Sequence, residues 1–460
     1  MTLAEAAAMA DAELRGPAGL AIAQVSTDSR ELPASALFVA LRGEKFDGHD
    51  YVPAVRDGGA AAAMVDARGA ASLVDCGLPL LVVEDTRKGL ARLSGGWRRR
   101  FSMPLIAVVG SNGKTTVKEM IASILRAQFP AIQGGESVLV TEGNLNNDIG
   151  LPLTLLRLRE HHSCAVVEIG MNHPGETGEL APLAAATIGV INNAQREHQE
   201  FMHSVEAVAL EHAALLESLE PGAVAVINAD DGGAQLWRNV ASRRALRVFD
   251  FGLRAGTVTG SYESHPEGTR VSVHFSEGAA EINLHAFGEH NVRNALAAVA
   301  ATFAAGIRLD SVRIGLESFR PVKGRLERKR SRCGATLLDD TYNANPDSVR
   351  AAIDVLAHAP GPRVLVLGDM GEVGTKGAEF HAEIGRYAKE SGIERLFAVG
   401  ELARESVTAF GRDATHFDST DAMAPAIADV LNAASTVLVK GSRFMRMERV
   451  VAGLEGAACC

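Results

Sequence analysis

Residues 110–116 read Gly-Ser-Asn-Gly-Lys-Thr-Thr and follow the apolar run Leu105–Val109. Glycines at 110 and 113 permit a tight turn whose backbone N–H groups face an anion at a helix N-terminus. Lys114 then reaches terminal phosphates, and the Thr115 hydroxyl, followed by Thr116, suits Mg²⁺. Val108 stands where the general G-x-x-x-x-G-K-[ST] loop has its first glycine, so the stretch, with Asn112 inside it, is nearer to G-x-x-G-K-T-[ST].

Other polar groups gather where apolar runs end. Residues 164–170, CAVVEIG, place Glu168 at the end of a strand, where a carboxylate either shares a magnesium with Thr115 or is satisfied by a helix N-terminus. Residues 191–198, INNAQREH, offer His198 as ligand of a second cation or as a structural histidine. In TEGNLNNDIGLP (141–152), Asn144, Asn146 and Asn147 form either an Asn-rich turn or a site for a polar ligand. In FGEHNVRN (287–294), Asn291 and Asn294 share a helix face, and an N-cap explains only one of them. KGRLER (323–328), DDTYNANPDS (339–348) and LGDMGEVG (367–374) put charged and amide groups at successive strand ends. Ligands collect at such ends in open α/β sheets.

The elements that must position these groups follow from the pattern of apolar runs. Leu105–Val109 reads as a buried parallel strand cut off by glycine. Strands at 165–168, 188–192 and 224–228 alternate with helices near 176–185, 205–219 and 291–306, which predicts a doubly wound parallel sheet. Residues 258–286 alternate apolar and polar around Gly and Pro, as an antiparallel appendage would. Residues 1–83 read as a separate small α/β unit, and 85–100 as a charged helical connector. From residue 319 the α/β pattern restarts, with strands at 336–338, 364–367, 396–399 and 436–439. The expected architecture is therefore three α/β domains, 1–83, 84–318 and 319–460. A central P-loop ATPase domain stands between a small N-terminal domain and a Rossmann-like C-terminal one.

Composition sets the outer limits. At 460 residues the chain suits about three domains. With 47% hydrophobic and 22% charged residues and a net charge of −10, it reads as an acidic globular protein with nothing to favour nonspecific nucleic-acid binding. Cys76, Cys164, Cys333, Cys459 and Cys460 are scattered, lack metal-site spacing and fit a reducing cytoplasm. No basic segment precedes an apolar core at the N-terminus, and no run of about 18 apolar residues offers a membrane span.

Taken together, GSNGKTT, TEGNLNNDIGLP, VEIGMN, NAQREH, FGEHNVRNALAA, GRLER, DDTYNANP and LGDMGEVG resemble the Mur ligases of peptidoglycan synthesis, from residue 27 to about residue 443. The resemblance is to the member that adds D-alanyl-D-alanine to UDP-N-acetylmuramoyl-tripeptide. It implies that the γ-phosphoryl of ATP passes to the tripeptide carboxylate, and that the dipeptide amine attacks the resulting acyl phosphate. It further implies that Thr115 and Glu168 hold a first Mg²⁺ and His198 a second, with Lys114 neutralising phosphate charge. Gly110, Asn112, Gly113 and Thr116 would cradle the nucleotide, Asn291 and Asn294 would lie near adenine, and Arg325 and Asp340 would approach from the C-terminal side. Thr27, Ser29 and Arg30 with Asn144 and Asn147 would hold the UDP-sugar, and Tyr342, Asn343 and Asn345 would receive the dipeptide. On the residues alone, 27–30 reads sooner as an Asx or Ser/Thr turn with a solvated arginine. The implied enzyme is a cytoplasmic monomer with small-molecule substrates only.

One position departs from the family pattern. Many Mur ligases carry a carbamylated lysine beyond the metal histidine, but this chain has no lysine between Lys118 and Lys323, and the corresponding stretch reads Val208-Ala-Leu-Glu-His212. Glu211 is the expected substitute carboxylate for the second metal; the alternative is a helix-surface Glu. Two other readings compete: a related amide ligase, such as the diamino-acid-adding Mur enzymes or folylpolyglutamate synthetase, and an ATP-binding module that does not ligate.

Overall fold

The computed structural model describes residues 1–132, 135–275 and 278–456; the Cys459-Cys460 tail lies outside them. Three sheets follow one another along the chain. The first contains β1 (Glu13–Arg15), β2 (Gln24–Ser26), β3 (Ala36–Val39), β4 (Ala62–Asp66) and β5 (Leu80–Val83). The second contains β6 (Leu105–Val109), β7 (Val138–Val140), β8 (Cys164–Glu168), β9 (Ile188–Ile191), β10 (Val224–Asn228), β11 (Arg247–Gly252), β12 (Val258–His265), β13 (Gly268–Phe275) and β14 (Gly278–Leu284). The third contains β15 (Glu327–Arg330), β16 (Thr336–Asp340), β17 (Arg363–Gly368), β18 (Arg395–Val399), β19 (Ala414–Phe417) and β20 (Thr436–Lys440).

In the central sheet the order is β14-β13-β12-β11-β10-β9-β6-β8-β7. Every pairing from β7 to β12 is parallel, and only β12–β13 and β13–β14 are antiparallel. The expected appendage is thus hydrogen-bonded onto the sheet through β11. Because β6 lies between β8 and β9, the phosphate loop, Glu168 and the 192–198 segment all emerge at one sheet edge, the carboxyl ends of three neighbouring strands.

Strand β6 is buried on both faces, as a run without polar residues must be. Ile106 and Val108 pack with Val117, Ile121 and Leu296, whereas Leu105, Ala107 and Val109 face the other side. That second core continues without a break into the first sheet, through Leu90, Leu93 and Trp97 of helix Thr86–Arg98 to Met64 and Leu81. The N-terminal region therefore has its own sheet but shares a core with the centre. The connector helix is the seam: Asp85 caps it by accepting from the Arg87 and Lys88 N–H groups, and buried Arg98 donates to the carbonyls of Phe101 and Ala184. The third sheet, order β15-β16-β20-β17-β18-β19, is parallel except at β15 and has a separate core on each face.

Two helices set the site's geometry. The alanine-rich helix Glu289–Ala304 buries Ala295, Ala297, Ala298, Ala300 and Ala301, so its N-terminal turn comes close to the phosphate loop. Helix Lys114–Gln128 is fixed from behind by helix Leu309–Ser318, whose Gly315 has no room for a side chain: a Cβ there would stand 2.3 Å from Ile124 Cα. Gly315→Ala is expected to cost about 1–3 kcal/mol by pushing these helices apart. A thermal-unfolding midpoint equal to wild type would contradict this packing.

Candidate functional site

The phosphate loop is shaped by its neighbours. Ser111 N–H donates to Asn193 O and Asn112 N–H to Asn193 Oδ1, while Asn193 Nδ2 donates back to Asn112 O. Gly113 turns through φ +80°, and a Cβ on it would stand 2.4 Å from Asn294 Oδ1. Only glycine fits there. Asn192 Nδ2 donates to both Asn112 O and Asn294 Oδ1, Asn294 Nδ2 to Asn291 Oδ1, and Asn291 Nδ2 to Phe287 O. A chain of neutral carboxamides therefore runs from the loop to the start of helix Glu289–Ala304, and it accounts for both asparagines that the sequence places on one face. Helix Lys114–Gln128 starts at Gly113 with no side-chain cap, so its first-turn N–H groups are available to an anion.

Thr115 and Glu168 meet as the sequence leads one to expect. The Thr115 hydroxyl donates to Glu168 Oε2 at 2.8 Å, and Asn146 Nδ2 donates to Oε1 at 2.8 Å. Both Thr115 and Glu168 are buried. A carboxylate, a hydroxyl and a nearby carboxamide beside a phosphate cradle form a hard-oxygen donor set that fits a magnesium ion.

Lys114 Nζ contacts the carbonyls of Gly110 and Ser111 and lies 3.4 Å from Glu197 Oε2. Glu197, 4% exposed, also accepts from His212 Nε2 at 3.1 Å and stands 3.8 Å from His198 Nε2. Burial pushes its carboxyl up, yet Lys114, His212 and His198 outweigh burial and hold it at about 2. Glu211 does not join this group, which corrects the sequence expectation. Its two oxygens accept from the Gly175 and Thr177 N–H groups at the start of helix Glu176–Ala184, and it is neither at the cavity nor on the helix surface. The uncapped start of that helix has captured it. Glu211→Ala is therefore expected to cost about 1–2 kcal/mol of stability by uncapping the helix, with magnesium dependence unchanged. Chemical denaturation and a metal titration of activity check the two halves.

A cavity of about 1180 Å³ lies between the central and third sheets. It brings together Asn112, Gly113, Lys114, Thr115, Thr116, Glu168, His198, Asn291, Asn294, Arg325, Asp340, Tyr342, Asn343 and Asn345, and at its outer side Asn144 and Asn147. Gly110 lies beneath the loop, with φ +145°. Thr27, Ser29 and Arg30 are not brought there; they follow β2, where Arg30 pairs with its neighbour Asp28. Arg325 stacks on Tyr342, 4.2 Å from the ring centroid. Asp340 Oδ2 accepts from buried Lys440, which also donates to Asn343 O. Asn345 caps helix Pro346–Ala357 and donates through Nδ2 to Asn112 Oδ1 at 2.8 Å, joining the third sheet to the phosphate loop. Asp369 faces away, accepting from Ala403 N–H. Burial pushes the cavity-lining His290 imidazole down to about 4.

Arg196 supplies the strongest link across the cavity, and motif reading gave it no role. Its guanidinium pairs with Asp347 at 2.6 Å and with Glu383 at 2.7 Å, its N–H donates to Asp347, and the plane lies over Phe380. Next to it, His198 Nδ1 lies 2.5 Å from Glu372 Oε2, and Glu200 N–H donates to Glu372 O. Arg196→Ala is expected to leave Asp347 without its ion pair and loosen the third sheet, raising the radius of gyration in small-angle scattering. Glu383 is held below its ordinary 4.5 by Arg196 first, and then Arg350. Its share of the docking is thus present above the ordinary range and lost as pH falls below it, so the wild-type chain should also expand on acidification.

Comparison with known proteins accords with this geometry. The family models described as "Mur ligase family, catalytic domain", "Mur ligase middle domain" and "Mur ligase, glutamate ligase domain" match residues 21–98, 108–302 and 324–443. The chain belongs to the Mur ligase family. It is 36% identical over 463 residues to the UDP-N-acetylmuramoyl-tripeptide--D-alanyl-D-alanine ligase of Escherichia coli, covering 100% of this chain and 99% of that one. Its fold matches a crystal structure of MurF from Acinetobacter baumannii with a TM-score of 0.91 at 32% identity, covering 99% of both chains. It also matches the MurF ligase of Thermotoga maritima in complex with ADP, with a TM-score of 0.81 at 25% identity, covering 94% of this chain and 97% of that one.

Proposed function

We propose that this chain is the ATP-dependent ligase that joins D-alanyl-D-alanine to UDP-N-acetylmuramoyl-tripeptide, giving the pentapeptide, ADP and phosphate in peptidoglycan synthesis. The observation that carries this reading is the single cavity in which the phosphate loop, Glu168 and His198 face Arg325, Asp340 and the 342–345 segment of the third sheet. A module that only bound ATP would not need that second wall. Folylpolyglutamate synthetase is disfavoured because a complete five-stranded sheet precedes the central one.

In this reading the loop N–H groups and Lys114 bind the β- and γ-phosphates, and the tripeptide carboxylate attacks the γ-phosphorus. Little covalent work falls to side chains; alignment and charge neutralisation carry the rate. Magnesium, when bound, supplies further neutralisation, with Thr115 and Glu168 as its holders and His198 as holder of a second ion. Asn291 and Asn294 bound the adenine side, and Arg325 and Asp340 close over the nucleotide. Tyr342 and Asn343 receive the dipeptide, whereas Asn345 acts chiefly through its hydrogen bond to Asn112. Thr27, Ser29 and Arg30 hold the uridine end, with Asn144 and Asn147 nearer the sugar. Arg87, from the connector helix, pairs with Asp148 and ties that asparagine segment to the N-terminal region.

No described helix is long and apolar enough to cross a membrane. We read the chain as a monomer acting in the cytoplasm, in keeping with its net charge of −10 and with cysteines that are scattered along the sequence without metal-site spacing.

The deciding experiment measures phosphate release with ATP, Mg²⁺, UDP-N-acetylmuramoyl-tripeptide and D-alanyl-D-alanine, omitting each in turn. Release requiring all four, with a pentapeptide product, is the expected result; release with a UDP-linked dipeptide and a free diamino acid would overturn the substrate assignment. Lys114→Ala should lower kcat roughly 10³-fold, in the range of other charge-neutralising groups in phosphoryl transfer.

A further inference from the structure

Three consecutive residues leave the end of β9 in three directions: Arg196 toward the third sheet, Glu197 inward, and His198 between them. Glu197 is the odd member, a carboxylate buried within the phosphate-binding machinery, where negative charge is already destined to accumulate. Each of its oxygens has a distinct partner. Oε1 accepts from His212 Nε2, and since His212 Nδ1 is buried without a hydrogen-bond partner, that imidazole serves as a fixed donor to Glu197. Oε2 is shared, 3.4 Å from Lys114 Nζ and 3.8 Å from His198 Nε2. Glu372 Oε2 lies 2.5 Å from His198 Nδ1, so the two ring nitrogens of His198 face two different carboxylates.

Lys114 cannot stay where it is and also act on a nucleotide. Its ammonium is held by two loop carbonyls and Glu197, and terminal phosphates entering the cradle compete for the same three protons. Once it turns to them, Glu197 is a buried carboxylate that has lost its ammonium partner and keeps one hydrogen bond, from His212. Such a charge must be re-paired.

We propose that Glu197 is the carboxylate ligand of a divalent cation and that Lys114 occupies its place until a nucleotide draws the lysine away. The cation then enters between Glu197 Oε2 and His198 Nε2, so the nucleotide creates the second metal position by moving a side chain. The exchange rests on the ATP-dependent reading above. It gives His212 a task, holding Oε1 so that Oε2 faces the ion, and it explains why Glu211, one residue away, is free to cap a helix. Because Glu372 follows β17 of the third sheet, docking of that sheet brings its carboxylate against the far side of the His198 ring. His198 itself is held at φ +46°, a conformation rarely adopted by residues other than glycine, as expected where surrounding contacts dictate a site.

Mn²⁺ is the probe, counted by electron paramagnetic resonance on the full chain with and without an ATP analogue carrying a β,γ-methylene bridge. The wild-type chain should gain one Mn²⁺ showing histidine nitrogen coupling only when the analogue is present. Glu197→Gln should lose that ion while still binding the analogue, and Lys114→Met should acquire it with no nucleotide at all. Histidine-coupled Mn²⁺ retained by Glu197→Gln, or not acquired by Lys114→Met, overturns the exchange. Lys114→Met keeps the test decisive if Glu197→Gln fails to fold. Phosphate release by the wild-type chain tests the parent reading separately, so turnover combined with unchanged Mn²⁺ counts in the variants would sink the exchange alone.

Discussion

The grip of Arg196 on Asp347 and Glu383 decides where the third sheet stands relative to the phosphate loop, and the other contacts across the cavity depend on it. A bidentate, half-buried guanidinium held by two carboxylates defines both distance and orientation, which a lysine at the same position would not. Once that register is set, Asn345 meets Asn112 and Glu372 meets His198. The same short segment that ends β9 therefore lines the phosphate cradle and fastens the opposite wall. A displacement on one side of the cavity must be felt on the other.

On the Gly113 side of the phosphate loop the protein uses amides instead of charges. Asn112, Asn192, Asn193, Asn291 and Asn294 offer donors and acceptors in a continuous chain without adding to the local field. The chain also explains the glycine at 113, because the space a Cβ would need is filled by the carboxamides that hold the loop.

Much of this was legible in the residues. The β6 run followed by glycine, the carboxylate ending β8 and the polar strand ends after β9, β16 and β17 placed the sheet edge and most of the cavity. What the sequence could not rank were neighbours on one helix. Glu211 and His212 lie about 100° apart, so only one can face the site, and the choice depends on the helix starting at Glu176, whose uncapped N–H groups take Glu211. Glu197 was hidden inside a motif read for its histidine, since burial is a tertiary fact. Arg196 and Asp347 are 151 residues apart, and no local pattern links them. How the first 83 residues join the centre was hidden for a similar reason: the sheet is local, but the apolar face of helix Thr86–Arg98 that links it to the centre shows its partners only in three dimensions.

The strand order also bears on how the molecule comes into being. Strand β6 pairs with β8 and β9, so during synthesis the phosphate loop emerges well before the strands that flank it, and waits still longer for Asn294 to fill the space beside Gly113. Asp347 and Glu383 come later again. Such long-range parallel pairings close large loops and form slowly. The part of this protein most recognisable in its sequence is therefore completed only by residues that lie far along the chain from it.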